Sequence, residues 1–125
     1  MTIWIPGATG FVGRALMARL RADGQSVEPI SRSASTVEGV TAHRISALGS
    51  LLSAGDTVVY CAGRAHVTRT GSAEDELAAH RRANCEEPLA AARLASARGA
   101  RRFVFVSSIK VNGERTEGVP FSERD

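Results

Sequence analysis

The chain has 125 residues, of which 43% are hydrophobic and 23% charged, and it carries a formal net charge of +3. This length is sufficient for one domain with its own core and too short for two, and the composition excludes a disordered chain. The basic residues are scattered and no apolar run is long enough to cross a bilayer, so neither nucleic acid nor membrane is expected as a partner.

Short apolar segments alternate with segments of helical periodicity along the chain. Strands are predicted at residues 3–6, 26–31, 41–45, 57–61 and 103–107. Helices are predicted at residues 11–23 and 73–98, and a short helix or turn is predicted at residues 47–54. The other segments, including residues 32–39 and 110–125, are predicted loops. We expect Pro29 to disturb the pairing of the second strand and Pro88 to kink the third helix. Strands separated by helices predict an α/β fold with a doubly wound, Rossmann-type parallel sheet in the order 3-2-1-4-5.

The remaining polar residues give no sign of a metal site. No cysteine or carboxylate stands at ligand spacing from the three histidines, His43, His66 and His80. The acidic residues of the third helix are expected on its solvated face, paired with arginines: Glu74, Asp75, Glu76, Glu86 and Glu87. Cys61 and Cys85 are not expected to form a disulfide, and residues 1–7 do not resemble a secretory signal. We therefore expect a reduced, cytoplasmic protein.

A glycine-rich turn connects the first strand to the first helix. Its sequence is Gly7-Ala8-Thr9-Gly10-Phe11-Val12-Gly13. Gly7 permits a sharp turn, Gly10 leaves room for a phosphate beside the backbone, and Gly13 allows the helix to pack closely on the sheet. The helix N-terminus offers free N–H groups and the positive end of its dipole. The turn predicts a site for a dinucleotide pyrophosphate, the alternative being a tight turn with a structural role alone.

Three segments are expected to converge at one edge of the sheet. In an open parallel sheet, ligands lie beyond the carboxyl ends of the strands, where the winding direction reverses. Gly7, Ala62 and Ser108 follow the first, fourth and fifth strands. The Ser108 hydroxyl can both donate and accept a hydrogen bond, and a role as a strand-end cap remains its alternative.

These segments resemble the extended branch of the short-chain dehydrogenase/reductase superfamily, which contains nucleotide-sugar epimerases, dehydratases and reductases. The resemblance covers the whole chain: the glycine turn, residues 58–67, Asn84 on the following helix, and residues 103–113. The stretch from Ser107 to Gly113 is most similar to UDP-N-acetylhexosamine 4-epimerases and 4-reductases of bacterial polysaccharide synthesis.

The resemblance implies hydride exchange between NAD(P) and C4 of a UDP-hexose or UDP-N-acetylhexosamine. It implies that Ser108 is a catalytic residue that hydrogen-bonds the reacting sugar oxygen. The implied cofactor-binding residues are Gly7, Thr9, Gly10, Phe11, Val12, Gly13, Ser31, Arg32, Cys61, Ala62, Gly63, Arg64, Asn84, Val106 and Ser107. A homodimer through the helices of residues 73–98 is implied as well. A non-catalytic, NADP-sensing regulator on the same fold is the alternative.

The chain departs from the family pattern at the adenosine end. Many relatives carry an acidic residue for the ribose hydroxyls where this chain has Ser31 and Arg32. Arg32 predicts a weak preference for NADP over NAD through the 2′-phosphate; stacking on adenine and a plain surface role are the alternatives. Ala47 stands where the family has an aspartate that binds adenine.

The chain also lacks the Tyr-x-x-x-Lys pair of the family, since its sole tyrosine, Tyr60, lies in a predicted strand. We therefore expect residues 1–125 to be the incomplete dinucleotide-binding domain of a longer enzyme. The catalytic tyrosine and lysine, the substrate domain and the later strands are expected beyond Asp125, which leaves the fifth strand as an exposed edge. By themselves, these residues are expected to bind dinucleotide weakly and to catalyse nothing.

Overall fold

The computed structural model describes residues 1–65, 71–113, 115–116, 118–122 and 124, with the side chains of 109–110 left out. In chain order the strands are β1 (Ile3–Pro6), β2 (Val27–Ser31), β3 (Thr36–Val37), β4 (Val40–Thr41), β5 (His43–Arg44), β6 (Thr57–Tyr60) and β7 (Arg102–Phe105). The helices are α1 (Phe11–Ala22), α2 (Leu48–Leu51), α3 (Ala73–Arg81) and α4 (Glu87–Ala97). A π-helical segment, Arg82–Glu86, joins α3 to α4, and 3₁₀ turns occupy Ile45–Ala47 and Ile109–Asn112.

Five of the strands form one parallel sheet in the order β5-β2-β1-β6-β7. This order confirms the predicted Rossmann-type sheet, with β5, β6 and β7 as the predicted third, fourth and fifth strands. The pairing of β2 with β5 covers only two residues and begins at Ile30, immediately after Pro29. Proline has no N–H to donate to a neighbouring strand, which is consistent with this late start.

The segment between β2 and β5 differs from the prediction. Residues 36–41 form a two-stranded antiparallel hairpin, β3–β4, in place of a loop and the start of a strand. Glu38 and Gly39 at its tip have φ of 50° and 76°, as a two-residue hairpin turn with both central residues left-handed requires. Val37 is buried against Met17 of α1, and Arg21 donates to the Glu38 carbonyl at 3.0 Å. The predicted third strand is therefore reduced to His43–Arg44.

The core consists of two apolar clusters. One contains the buried side chains of Trp4, Ile30, Leu48, Leu52, Val58, Tyr60, Ala91 and Ala95, which β1, β2 and β6 share with the α2 and α4 regions. The other contains Ile5, Ala8, Met17, Val27 and Val37, which brings α1 and the hairpin onto β1 and β2. Neighbouring residues of a strand point to opposite faces, so the clusters cover the two faces of a doubly wound sheet.

The predicted long helix departs from α-helical geometry at Arg82–Glu86, just before Pro88. Ser72 and Asp75 form a reciprocal capping box at the start of α3, so the Asp75 carboxylate caps the helix. The π-helical segment continues directly into α4, and Pro88, in the first turn of α4, has no N–H to donate to the preceding turn. The departure from α-helical geometry thus lies immediately before Pro88, where the kink was predicted.

The last strand, β7, is an edge of the sheet within the described residues, as predicted. It ends at Phe105, two residues earlier than expected, and the side chains of Val104 and Phe105 are about two-fifths exposed. Part of the predicted loop after it is the 3₁₀ turn at residues 109–112. Among the described residues, no helix has the length and hydropathy needed to cross a membrane.

Candidate functional site

The glycine turn is packed so tightly that two of its glycines leave no room for a side chain. Gly7 has a φ of 88°, and a Cβ placed on it would lie 2.6 Å from the Cα of Ala62. A Cβ on Gly13 would lie 2.8 Å from the Cα of Ala8. Gly7 is therefore required by its contact with the end of β6 as well as by its dihedral. Gly13 packs α1 onto the glycine turn itself, whereas the prediction placed its contact on the sheet.

The N-terminus of α1 opens from this turn without a cap. Gly10 is the N-cap residue, and no side chain satisfies the first N–H groups of the helix. The first turn, Phe11 to Gly13, has no intrahelical acceptor for its N–H groups and contains no acidic residue. The Phe11 side chain is 94% exposed and so does not cover this end. An anionic group is the ligand that such a helix end favours.

A cleft runs from the glycine turn across the carboxyl ends of β1, β2 and β6. Eight predicted cofactor-binding residues line it: Gly7, Thr9, Gly10, Ser31, Arg32, Cys61, Ala62 and Gly63. Five further residues extend it toward β5 and α4: Ile30, Ile45, Tyr60, Ala83 and Glu87. The cleft therefore lies where the sheet reverses its winding direction, as predicted for a ligand site.

The floor of the cleft contains two groups that burial keeps uncharged. Burial raises the pKa of the Tyr60 hydroxyl, the Glu87 carboxylate raises it further, and the Arg32 guanidinium opposes the shift. Burial also raises the pKa of the Cys61 thiol. At neutral pH, Tyr60 is therefore a phenol that can donate a hydrogen bond, and Cys61 is a thiol with little nucleophilic character.

The loop after β6 is held by side chains of the long helical region. Asn84 Oδ1 accepts from the Arg64 N–H at 2.7 Å, and Asn84 Nδ2 donates to the Arg64 carbonyl at 2.8 Å. The Arg64 guanidinium forms an ion pair with Glu76 at 2.8 Å. A Cβ on Gly63 would lie 3.2 Å from Asn84 Oδ1, so glycine lets the loop approach this clamp. The π-helical segment that contains Asn84 thus fixes the backbone that borders the cleft.

Two guanidinium groups lie near the end of β2. Arg32 is exposed and lines the cleft, and Arg44 donates to the Arg32 carbonyl at 3.4 Å. The Ser31 hydroxyl donates to the Ser33 carbonyl, and Ser35 donates to Ser31 Oγ at 2.9 Å. The serines therefore hold the bend that follows β2, and this corner of the cleft carries positive charge.

A profile of the NAD dependent epimerase/dehydratase family matches residues 3–125. This chain belongs to the NAD dependent epimerase/dehydratase family. A UDP-glucose 4-epimerase of Vibrio cholerae is 34% identical over 141 aligned positions, which cover 99% of this chain and 40% of the relative. The chain thus spans about two-fifths of the length of that curated relative.

Solved structures show the same fold. A short-chain dehydrogenase/reductase superfamily protein of Agrobacterium tumefaciens with bound NAD has a TM-score of 0.75 and 27% identity, over 98% of this chain and 38% of the other. MoeE5, in complex with UDP-glucose and NAD, has a TM-score of 0.78 and 22% identity, over 100% of this chain and 42% of the other. Both neighbours contain NAD, and MoeE5 also contains a nucleotide sugar.

The cleft of this epimerase/dehydratase family member fits a dinucleotide. The glycine turn packs closely on Ala62, and the uncapped end of α1 beside it supplies N–H groups for a pyrophosphate. The Tyr60 hydroxyl lies at the floor of the cleft without a hydrogen-bond partner among the described residues. Polar groups are therefore available at both ends of the cleft.

Several predicted site residues lie beside the cleft and not in its lining. Phe11, Val12 and Gly13 form the adjoining first turn of α1. Asn84 hydrogen-bonds to the Arg64 backbone, and the Arg64 guanidinium pairs with Glu76. Direct contact of Arg64 or Asn84 with a cofactor therefore stays a prediction.

The residues after β7 extend from the same edge of the sheet. The Val106 N–H donates to the Tyr60 carbonyl at 3.0 Å, and the Val111 N–H donates to the Ser108 carbonyl at 3.1 Å. Ser107 and Ser108 are exposed and follow β7 after Val106. Their predicted contacts with cofactor and sugar stay predictions. The Lys110 side chain and His66 lie outside the part of the chain that the structure describes.

The acidic residues of the helical region do not all lie on a solvated face. Glu76 is largely buried in its ion pair with Arg64, and Glu87 is half-buried in the cleft. The π-helical segment inserts one extra residue, which rotates α4 by about 100° relative to an uninterrupted helix. The predicted solvated position is therefore wrong for Glu76 and Glu87. Within the described residues, no group of histidine, cysteine and carboxylate side chains is arranged to hold a metal.

Proposed function

We propose that this chain is the dinucleotide-binding part of an NAD(P)-dependent enzyme that exchanges a hydride at C4 of a UDP-hexose or UDP-N-acetylhexosamine. The uncapped N-terminus of α1, which opens from the glycine turn into the cleft, is the observation that carries the proposal. The nicotinamide supplies the hydride acceptor and donor when bound. NAD and UDP-glucose in MoeE5 support the ligand classes.

Each part of the cleft has a role in this proposal. Gly7, Gly10 and the first turn of α1 bind the pyrophosphate, and the corner at Ser31 and Arg32 holds the adenosine ribose. The loop at Ala62 and Gly63, fixed by Asn84, borders the nicotinamide half. Ser108 donates to the reacting sugar oxygen and orients it. A serine hydroxyl does not ionise by itself near neutral pH, so the base is assigned to another residue.

The wider organisation is proposed from the relatives' greater length. A substrate domain and a catalytic tyrosine and lysine follow residue 125, in a cytoplasmic enzyme of polysaccharide biosynthesis. A homodimer forms through α3 and α4, where Leu77 and Leu89 are exposed. Ala91 and Ala95 of α4 are buried in the protein's own core and do not belong to this surface. Leu94 packs toward Gly49 of α2.

The cofactor is expected to be NADP(H) in preference to NAD(H). Arg32 lines the cleft at the position where many relatives have an acidic residue, which would repel a 2′-phosphate. A hydrogen bond from its guanidinium to that phosphate contributes about 1.5–3 kcal/mol to binding. Arg32→Glu should therefore reverse a preference of about ten- to a hundredfold in affinity, measured by calorimetry. Arg93→Glu, at an exposed position on α4, is the matched charge reversal and should leave the preference unchanged. Equal affinities in the wild type, unaltered by Arg32→Glu, would refute this assignment.

Turnover of a UDP-sugar by the complete enzyme tests the proposed reaction. Ser108→Ala should lower turnover by about ten- to a thousandfold and leave dinucleotide affinity nearly intact, because one contact to the reacting oxygen is lost. The assay follows sugar interconversion and dinucleotide binding in parallel. A wild-type protein that binds NADP(H) but converts no UDP-sugar would favour the regulatory alternative. Unchanged turnover in Ser108→Ala would remove Ser108 from the mechanism.

A further inference from the structure

The cleft has a slot of distinct chemistry on its side toward β5 and α4. Ile30, Ile45 and Ala83 supply apolar surface, and the Tyr60 hydroxyl and the Glu87 carboxylate line the same cleft. Arg32 lines it at the exposed end of β2, close enough to Tyr60 for its charge to lower the pKa of the phenol. Apolar walls with a small number of polar groups are typical of a site for a heteroaromatic ring.

Both polar groups of the slot lack partners among the residues that the structure describes. Tyr60 is 1% exposed, and its recorded contacts are with the rings of Phe103 and Phe105. No described residue pairs with the half-buried Glu87 carboxylate, although Glu86 next to it pairs with Arg81. Both groups line the cleft, so a ligand that hydrogen-bonds to both can bind there in place of water.

We propose that Glu87 and Tyr60 recognise the adenine base of the dinucleotide. The Glu87 carboxylate accepts a hydrogen bond from the 6-amino group, and the Tyr60 hydroxyl donates to a ring nitrogen beside it. The assignment rests on the proposed function, and it gives Glu87 the role that the resemblance assigns to an aspartate at the position of Ala47. Sequence alone does not assign either contact, because the fold and not their spacing brings Glu87 and Tyr60 to the same cleft.

The chemistry of the alternatives supports the base as the ligand. A carboxylate repels the pyrophosphate, so Glu87 is not a phosphate contact. Adenine presents an amino donor next to ring-nitrogen acceptors. The Glu87 carboxylate can accept from the amino group, and the Tyr60 hydroxyl can donate to a ring nitrogen. Hypoxanthine presents an oxygen in place of the amino group, which would face the Glu87 carboxylate without a proton between them.

Nicotinamide hypoxanthine dinucleotide is the probe that separates these contacts, because it keeps the pyrophosphate, both riboses and the nicotinamide. The wild type should bind NAD at least about tenfold more tightly than the probe. Glu87→Gln should lower this ratio to about threefold or less, because a carboxamide accepts from the amino group and donates to the oxygen. Glu86→Gln, the exposed neighbour, should retain the wild-type ratio. Tyr60→Phe should weaken NAD binding several-fold with the ring packing kept.

The possible results separate this inference from the function on which it rests. The ratio of the affinities for NAD and the hypoxanthine probe could be the same in Glu87→Gln as in Glu86→Gln. That result would overturn the adenine contact alone, and it is the result expected if Glu87 contacts a ribose instead. Absence of binding by either dinucleotide to the folded wild type would overturn the proposed function and the inference together. Calorimetry gives the affinities, and circular dichroism verifies the fold of each variant.

Discussion

Gly7→Ala should destabilise the protein by about 3 kcal/mol or more and abolish dinucleotide binding. The new Cβ would lie 2.6 Å from the Cα of Ala62, in backbone with a φ of 88° that alanine rarely adopts. Relief requires β1 and β6 to separate at the end where they meet the glycine turn. Urea unfolding gives the loss of stability, and calorimetry gives the loss of binding.

Gly24→Ala is the matched control, because it isolates the cost of the dihedral. Gly24 has a φ of 72°, and nothing lies within 4 Å of a Cβ built on it. This variant should lose only about 1–2 kcal/mol and retain dinucleotide binding. A loss in Gly7→Ala no larger than that in Gly24→Ala would show that the contact between the glycine turn and Ala62 is absent.

Asp56→Asn should destabilise the protein by about 2–4 kcal/mol at neutral pH. Asp56 is 4% exposed and accepts hydrogen bonds from the Thr2 N–H at 2.7 Å, the Trp4 indole N–H at 2.9 Å and the Ser53 N–H at 3.0 Å. An asparagine has one acceptor oxygen, and its amino group would face a donor. The buried network joins β1 to the turn before β6, so its loss affects the sheet.

The same carboxylate predicts a dependence of stability on pH. Burial alone raises the pKa of Asp56, but the hydrogen bonds from Thr2, Trp4 and Ser53 outweigh it and hold the pKa below its usual value. A lowered folded-state pKa gives stability that is present above the unfolded pKa of about 3.9 and lost as the pH falls through the folded value. The stability gap between wild type and Asp56→Asn should therefore narrow from pH 6 toward pH 3.

The exposed Asp23 provides the control for this prediction. Its carboxylate pairs with Arg19 at 2.9 Å in a solvent-exposed i,i+4 arrangement. Asp23→Asn should change the free energy of unfolding by less than about 0.5 kcal/mol at either pH. A constant gap between wild type and Asp56→Asn across the acid range would contradict the lowered pKa.

The sheet and the glycine turn could be predicted because their signals are local. The apolar runs of β1 and β6 are recognised from residues that are close together in the sequence. The same is true of the glycines between a strand and a helix. The β3–β4 hairpin was missed because its turn places Glu38 at a positive φ, where asparagine or glycine is the usual signal. The two-residue pairing of β5 was too short to predict from a sequence pattern.

The site was predictable at its glycines and not at its helical side. Asn84 and Arg64 meet across 20 residues, and Glu76 joins them, which no spacing rule indicates. Glu87 was assigned to solvent because a charged residue of a long helix usually lies on the solvated face, whereas the fold places it in the cleft. Tyr60 was correctly placed in a buried strand, but its position at the strand end also puts the hydroxyl in the cleft.

Amide chemical-shift mapping during titration with NADPH and NADH tests the central claim most directly. We expect saturable shifts of the N–H groups of Gly10, of the first turn of α1 and of Ala62 and Gly63, since these border the pyrophosphate in the proposed complex. The amides of α3 should shift little. Unchanged resonances in the first turn of α1 at millimolar dinucleotide, in a folded protein, would contradict the dinucleotide site.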